Sequence, residues 1–254
     1  MRIARFDPFD DEPVPDCLRL PLPGQGARDT DGPRAFLSAK AAGDMSFDPE
    51  RGNAVRDAWL ERAGFSPGSV MAVRQVHSRR VVTARSPLDL RGAEADGIVT
   101  DAPGVCVVVT VADCMPIYLH DPDSGAYGVL HSGWKGTGIL RVAVDELARR
   151  YGSMPGRLRV TLGPAIASCC YRVDADRAVA FRREFGERAA VEADGTWRLD
   201  LLAANLALAD DAGIADVAAA EACTACDARL GSNRREGPGR FTRMAAAMGR
   251  TALP

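Results

Sequence analysis

Cys114, His131 and His77 are the residues of this sequence whose types and settings could do chemistry. The chain holds 3 histidines, and Lys40 and Lys135 are its only lysines. Two of the histidines, a cysteine and Lys135 fall within VADCMPIYLHDPDSGAYGVLHSGWKG, residues 111–136. Cys114 follows the β-branched run VCVVVTVA, His131 follows the strand-like AYGVL, and His77 ends SVMAVRQVH, so three strand ends can converge. One sulfur and two nitrogens suit Zn²⁺, and three protein ligands leave a fourth position for water or substrate. The same atoms support a second chemistry, with Cys114 as thiolate nucleophile and His131 as its base. A third reading makes Cys114 a small buried apolar residue and gives the histidines ordinary hydrogen bonds. Spacing alone does not choose, because no pair stands at the short separations of compact zinc modules. His120, just before DPDSG, reads as a solvated turn residue.

Other residues extend this constellation. HSGWKG places glycines at a helix start, where exposed N–H groups favour an anion such as phosphate. It lacks the P-loop pattern, which argues against a nucleoside triphosphatase. Lys135 within it is a compact donor that, unlike arginine, can lose its proton. Asp113 is a candidate acid or base, while Asp96 in EADG either caps a turn or supports a histidine ligand from behind. NRREGPGR, residues 233–240, sets Arg234 and Arg235 among glycines and a proline, as phosphate or carboxylate recognition would require, or as a solvated loop would. Cys223 and Cys226 form a lone C-x-x-C with no second pair near it in sequence, and read as plain thiols.

Periodicity supplies the elements that must position these groups. NAVRDAWLERA, from Asn53 to Ala63, places Val55, Trp59, Leu60 and Ala63 on one face of a helix with Asn53 as its N-cap. SVMAVRQVH and RRVVTAR read as strand, turn, strand about His77 and Ser78. GIVTD, VCVVVTVADC, PIYLHD and AYGVLHSG are further strands, the last two joined by the DPDSG turn. GTGILRVAVDELARRYG has Ile139, Leu140, Val142, Val144, Leu147 and Ala148 at helical spacing and ends at Gly152. With RLRVTLG (157–163) as the next strand, this makes a βαβ unit that carries HSGWKG at its strand-to-helix turn, where α/β proteins tend to bind ligands. Helices are expected at 174–188, at 199–212 and around RMAAAMG near the C-terminus. Residues 1–45 read as loops with an edge strand. No repeat or low-complexity tract divides the chain, so residues 1–254 are expected to form a single mixed α/β domain.

Composition narrows the function classes. A net charge of −2 gives no large electrostatic footprint for nucleic acid, and 46% apolar content suffices for a sizeable core. The longest apolar run is far short of the roughly 20 residues that span a bilayer, so no membrane association is expected. The N-terminus has acidic residues and prolines where a secretory signal would have an apolar segment. The 7 cysteines, an odd number with Cys169 and Cys170 adjacent, read as reduced thiols. A cytoplasmic location follows as the expectation.

RQVHS (74–78), EADGIVT (94–100), VADCMPIYL (111–119), HSGWKG (131–136), LGPAIASCCYRV (162–173) and NRREG (233–237) occur in the order of a known family. From Asn53 onward the chain resembles the laccase-domain proteins, also called multicopper polyphenol oxidoreductases or peptidoglycan editing factors and now treated as purine nucleoside phosphorylases. The resemblance implies a four-layer α/β/β/α sandwich with mixed sheets and a zinc site made by His77, Cys114 and His131. It also implies phosphorolysis of adenosine, inosine and S-methyl-5′-thioadenosine, with adenosine deamination. The partners would be a small nucleoside and phosphate, with no nucleic acid. Lys135, Arg234 and Arg235 would hold phosphate, Asn53 joins the substrate-binding candidates, and Asp113 would move a proton to or from the base.

Copper enters only through the older oxidase name, and one such site cannot supply the several coppers a laccase needs. Two stretches depart from the family pattern, FLSAKAAGDMSFD (36–48) and LGSNRREG (230–237), both where substrate contacts are expected. A cysteine hydrolase acting on peptidoglycan precursors, with Cys114 as nucleophile, and a zinc-braced binding domain stand as alternatives. Oligomeric state has no signature in the sequence.

Overall fold

A run such as VCVVVTV, apolar at every position but Thr110, can be satisfied only if both faces of its strand are covered, and the computed structural model places it between two packed layers. The structure describes residues 1–10, 16–25, 32–47 and 52–250. Parts of the stretch expected to be N-terminal loops, Asp48 of FLSAKAAGDMSFD and residues 251–254 lie outside the described residues.

The first third of the chain forms β1 (Arg2–Phe6), β2 (Cys17–Leu20), β3 (Arg34–Ser38), α1 (Ala54–Arg62), β4 (Val70–Ala72) and β5 (Val81–Thr83). There follow β6 (Gly97–Thr100), β7 (Cys106–Val111), β8 (Met115–His120), β9 (Tyr127–Ser132), α2 (Ile139–Tyr151), β10 (Arg159–Leu162) and β11 (Arg172–Val173). The remainder forms α3 (Ala175–Phe185), β12 (Ala190–Ala193), β13 (Thr196–Leu199), α4 (Leu201–Asp211), β14 (Asp216–Ala220), α5 (Asn233–Glu236) and β15 (Met244–Gly249). Seven strands make one sheet in the order β1-β14-β10-β8-β9-β6-β5, five make another in the order β2-β3-β15-β7-β4, and β11-β13-β12 form a small third. Both large sheets are mixed: β14 pairs parallel with β10 while β8 pairs antiparallel, and β7 takes β4 parallel and β15 antiparallel.

Side-chain alternation stacks these sheets into four layers. Val107, Val109 and Val111 of β7 meet Tyr118, Tyr127 and Val129 of the larger sheet in the central core. Cys106 and Val108 point the other way, against Trp59 and Leu60 of α1. On the opposite side, Ile117, Leu119, Val160 and Leu162 pack under α2, α3 and α4. The order is therefore helix, five-stranded sheet, seven-stranded sheet, helices.

Several local expectations hold. Asn53 caps α1 by accepting the N–H groups of Val55 (3.0 Å) and Arg56 (3.1 Å), and Gly152 ends α2 in the left-handed region with φ 70°. β9 and β10 both run antiparallel to β8 between them, hence parallel to each other, as the βαβ reading requires. The helices expected at 174–188 and 199–212 are α3 and α4, whose first turns are capped by Asp174 and Asp200. Among the described residues no helix is long and apolar enough to cross a membrane.

Residues 1–45, expected as loops with an edge strand, hold β1 and β2 at sheet edges and β3 inside the five-stranded sheet, because Leu18, Leu20, Ala35 and Leu37 turn into the central core. Four further expectations fail, each for a physical reason. RMAAAMG is not a helix but β15, hydrogen-bonded between β3 and β7. Alanine and methionine favour helices by only fractions of a kcal/mol per residue, and this strand is buried on both faces. Met244, Ala246 and Met248 face the central core while Ala245 and Ala247 lie against α1, where small side chains let the layers close. Second, the segments around His77 do not pair with each other: β4 belongs to the five-stranded sheet and β5 to the seven-stranded one. Third, His120 is no turn residue but the buried end of β8, remote from Cys114 at the strand's other end. Last, Val55 and Val142 lie on exposed faces of their helices, while Arg56 and Ala143 take the buried positions.

Candidate metal centre and its cavity

The chain crosses between the two large sheets at Ala112–Cys114, from β7 to β8, and again through residues 73–80, from β4 to β5. Cys114 lies on the first crossover, His77 on the second, and His131 stands in β9 beside Pro116. The donor atoms of the three residues lie within 4.8 Å of one another, and the two imidazole centroids are 4.8 Å apart. The crossovers are tight: His77 (φ 58°) and Asp113 (φ 83°) are two of the three non-glycine residues with positive φ among the described residues. Such backbone persists where the surroundings over-determine it.

Asp96 does that over-determining. Its carboxylate is completely buried and accepts the N–H groups of Val76 (3.3 Å), His77 (3.0 Å) and Ser78 (2.6 Å) and the Ser78 hydroxyl (2.8 Å). It also bonds Nδ1 of His131 at 2.8 Å. One carboxylate thus fixes the His77 loop and the His131 ring together, and leaves Nε2 as the nitrogen for a ligand role. Burial opposes its ionisation, but bonds from His131 and Ser78 outweigh it and hold the group down at about 2. Of the two sequence readings of Asp96, the structure selects support of a histidine; the signal was its place in EADG just before β6, which names no partner.

Cys114 is held as a thiolate by the same neighbours. Burial would push its thiol up, yet the charge and hydrogen bonds of His131 and His77 bring it down to about 6. His131 is raised in turn, because Cys114 and Asp96 overcome the burial that disfavours its charge. Gly133 completes the cradle: a Cβ there would sit 2.6 Å from Cys114 Sγ and 3.7 Å from His77 Cδ2. A Cβ at Gly136 would come within 2.9 Å of the Ser78 carbonyl, so this glycine lets the HSGWKG turn lie against the His77 loop. One thiolate and two imidazoles in a pocket that only glycine leaves open are a donor set that fits zinc with one position to spare.

These groups lie on the wall of a cavity of about 1040 Å³. Phe47, Trp134, Tyr171 and Phe241 supply flat apolar surface to it, and Arg74, Arg177, Arg234 and Arg243 supply charge. Three arginines stack on three of these rings: Arg177 over Trp134 at 4.4 Å, Arg234 over Tyr171 at 5.5 Å and Arg243 over Phe241 at 4.4 Å. Arg74, Arg177 and Arg243 also pair with Glu94, Asp174 and Asp44. Arg234 is held by the carbonyls of Cys170 (2.7 Å) and Arg172 (3.2 Å), which leave its charge uncancelled.

The remaining expected site residues are placed as follows. Asp113 lines the cavity, with Oδ1 accepting from the Thr224 hydroxyl (2.7 Å) and Oδ2 from the Arg234 N–H (2.7 Å). Lys135 is exposed, its Nζ 5.5 Å from the ring centre of Trp134. Arg235 bonds the carbonyls of Thr224, Asp227 and Leu230, and Asn53 donates to the carbonyls of Asp44 (2.9 Å) and Ser46 (3.0 Å). Lys135, Arg235 and Asn53 are not among the lining residues, whereas Asn233 and Arg234 are. Both stretches that depart from the family pattern reach the cavity, through Ser46 and Phe47 in one and Asn233 and Arg234 in the other. Among the site residues without a signal in the sequence are Thr224, Tyr171, Trp134, Arg177 and Arg243.

Comparison with known proteins agrees with this architecture. Residues 35–251 match the family described as multi-copper polyphenol oxidoreductase laccase. A purine nucleoside phosphorylase of Deinococcus radiodurans is 35% identical over 219 residues, spanning 86% of this chain and 83% of that protein. An adenosine deaminase from an unknown prokaryotic organism is 32% identical over 216 residues, 78% of this chain and 81% of its own. The crystal structure of YlmD from Geobacillus stearothermophilus superposes with a TM-score of 0.82 at 29% identity, covering 96% of this chain and 99% of that one.

Proposed function

The chain belongs to the multi-copper polyphenol oxidoreductase laccase family, and from that membership we propose that it is a zinc-dependent purine nucleoside phosphorylase that also deaminates adenosine. Its substrates on this reading are adenosine, inosine and S-methyl-5′-thioadenosine, with phosphate as the second reactant. The observation that carries the reading is the convergence of His77, Cys114 and His131 on a cavity whose wall sets arginines against aromatic rings. Relatives named purine nucleoside phosphorylase and adenosine deaminase support it.

His77, Cys114 and His131 would hold the zinc, which bound there would supply a Lewis acid. The aromatic wall takes the purine face, and Arg234, whose guanidinium pairs with no carboxylate among the described residues, takes phosphate. Phosphate oxygen attacks C1′, the C1′–N9 bond breaks, and the leaving purine is protonated, giving free base and ribose 1-phosphate. Asp113 moves that proton: each of its oxygens accepts one hydrogen bond and keeps a second lone pair for the substrate side. Lys135, exposed beside Trp134, attracts the anion, and Arg235 and Asn53 hold the segments that carry Arg234 and Ser46. The cytoplasm, with reduced thiols, is the compartment this reading assigns.

The test incubates metal-analysed protein with adenosine in phosphate and in phosphate-free buffer. Adenine with ribose 1-phosphate should appear only with phosphate, and inosine in both. No product in either buffer overturns the reading.

A specific observation favours a second reading. The Cys114 thiol, brought down beside His131, is also the pair a cysteine hydrolase of peptidoglycan precursors would use. Stoichiometric zinc that activity requires would exclude it, since a zinc-bound thiolate is a poor free nucleophile.

A further inference from the structure

Four of the remaining cysteines meet outside the cavity lining. Cys169 and Cys170 lie between β10 and β11, and Cys223 and Cys226 follow β14. Because β10 and β14 are parallel neighbours, the loops leaving their ends run side by side. They are joined by a bridge between Ala165 and Cys223, and the Thr224 N–H bonds the Ala165 carbonyl at 3.1 Å. The lone C-x-x-C of the sequence therefore has its second pair, supplied in space by the adjacent cysteines.

Distances within the group argue for an ion among the sulfurs. Sγ of Cys169 stands 3.7 Å from that of Cys170 and 3.6 Å from that of Cys226, and Cys170 and Cys226 are 3.4 Å apart. The Sγ atoms of all four lie within 4.8 Å of one another. Thiolates on a tetrahedral zinc, at about 2.3 Å from the metal, stand about 3.8 Å apart. A disulfide would bring two of them to about 2.05 Å.

The surroundings of Cys223 are those of a thiolate ligand. Cys223 Sγ accepts the Ala167 N–H at 3.3 Å, an outer bond of the kind that orients a metal-bound sulfur. The N–H groups of Cys226 (3.1 Å) and Asp227 (2.9 Å) both close on the Cys223 carbonyl, folding the C-x-x-C into a turn that presents its sulfurs together. Four thiolates around a divalent ion leave two negative charges, and the Arg235 guanidinium, clasping the carbonyls of Thr224, Ala225 and Asp227, stands against that turn. An opening of about 440 Å³ bordered by Asp7, Glu221 and Asp227 leads to Cys223 and Cys226 and offers a cation an acidic approach.

We propose that Cys169, Cys170, Cys223 and Cys226 form a second, closed zinc site that clamps the loop carrying Tyr171 to the loop carrying Thr224. With four protein ligands it keeps no position for substrate, so its role is structural. Binding exchanges up to four thiol protons for one Zn²⁺ and needs no oxidant. What it braces is one wall of the cavity: Tyr171 lines it, Thr224 holds Asp113, and Arg234 is anchored on the Cys170 carbonyl.

The test counts metal, so its outcome is independent of which substrate the protein turns over. Protein purified under reducing conditions with zinc and then dialysed should hold two zinc equivalents per chain. His77→Ala/His131→Ala should hold one, and Cys169→Ser/Cys226→Ser should hold one. Cobalt loaded into the histidine variant should give the intense visible bands and sulfur-to-metal charge transfer of a four-thiolate site. If the cysteine variant does not fold, cobalt-loaded wild type decides, because charge transfer from one thiolate or from five differs several-fold. A single equivalent in wild type that vanishes in the histidine variant overturns the proposal. So does a mass lower by two hydrogens per cysteine pair, the sign of disulfides.

Discussion

Replacing Asp96 by asparagine should damage fold and metal site together. The carboxylate accepts five hydrogen bonds from Val76, His77, Ser78 (twice) and His131, and is fully buried. An amide keeps one acceptor oxygen and turns an NH₂ toward donors that then have no partner. If the NH₂ faces Ser78, three donors are orphaned. If it faces His131, the ring must accept through Nδ1 and carry its proton on Nε2, where a metal would bind. Hydrogen bonds to a buried charge are worth about 1.5–3 kcal/mol each, and breaking a buried charged cluster costs about 3–5 kcal/mol, part of which relaxation recovers. For a chain of this size that is a fall in Tm of about 6–20 °C. Zinc affinity should fall about 10–100-fold, the usual effect of removing a carboxylate behind a histidine ligand. Thermal melts of metal-free protein read the first, and competition against a chromogenic chelator reads the second. Asp96→Asn that melts within about 2 °C of wild type and keeps its zinc affinity would refute the assignment, since such a shift is under about 1 kcal/mol.

Gly133→Ala puts a Cβ 2.6 Å from Cys114 Sγ, so the thiolate must move; zinc binding measured by metal analysis should drop while the fold, followed by circular dichroism, persists. Ala246→Leu adds three carbons to a strand position that is 0% exposed, and should cost at least about 1–3 kcal/mol in urea unfolding, where a helical surface position would cost almost nothing. Glu236 gives a pH prediction. Burial raises its carboxyl, but the N–H groups of Ser232 and Thr242, the Thr242 hydroxyl and Arg235 together lower it from an ordinary 4.5 to about 2. Its stabilising contribution is therefore complete above about 4.5 and is lost as pH falls through about 2. Urea midpoints of wild type and Glu236→Gln should differ most above pH 4.5 and converge toward pH 2; a gap that does not narrow with acid would show that the charge is not what holds the loop.

Much of the candidate metal centre was legible because its signals are local. Each ligand sits next to an apolar β-branched run or a turn of Asp, Ser and Gly, and strand ends at one edge of an α/β sandwich are brought together by the topology that those runs impose. The cap at Asn53 was equally local, since it satisfies N–H groups two and three residues away. Asn53, also among the substrate-binding candidates, stands in the structure as the cap of α1 and as a donor to the carbonyls of Asp44 and Ser46, because an N-cap and a binding residue share one side-chain chemistry.

The sequence by itself determined the run of strands and helix from β6 to β10, the choice of His77, Cys114 and His131 as candidate ligands, and the glycine turn that must lie close to them. Tertiary structure alone decided the rest. MAAAMG became a strand because two neighbours and two buried faces outweigh helix propensities of a few tenths of a kcal/mol per residue. Cys169 and Cys170 met Cys226 across 57 and 56 positions of sequence, a separation over which spacing carries no signal, because only the parallel pairing of β10 with β14 sets the two loops side by side. Asp96 could be seen to border a strand, but that its one carboxylate holds both His131 and the His77 loop depends on β6 pairing with β9, a contact made by the sheet and written in no motif.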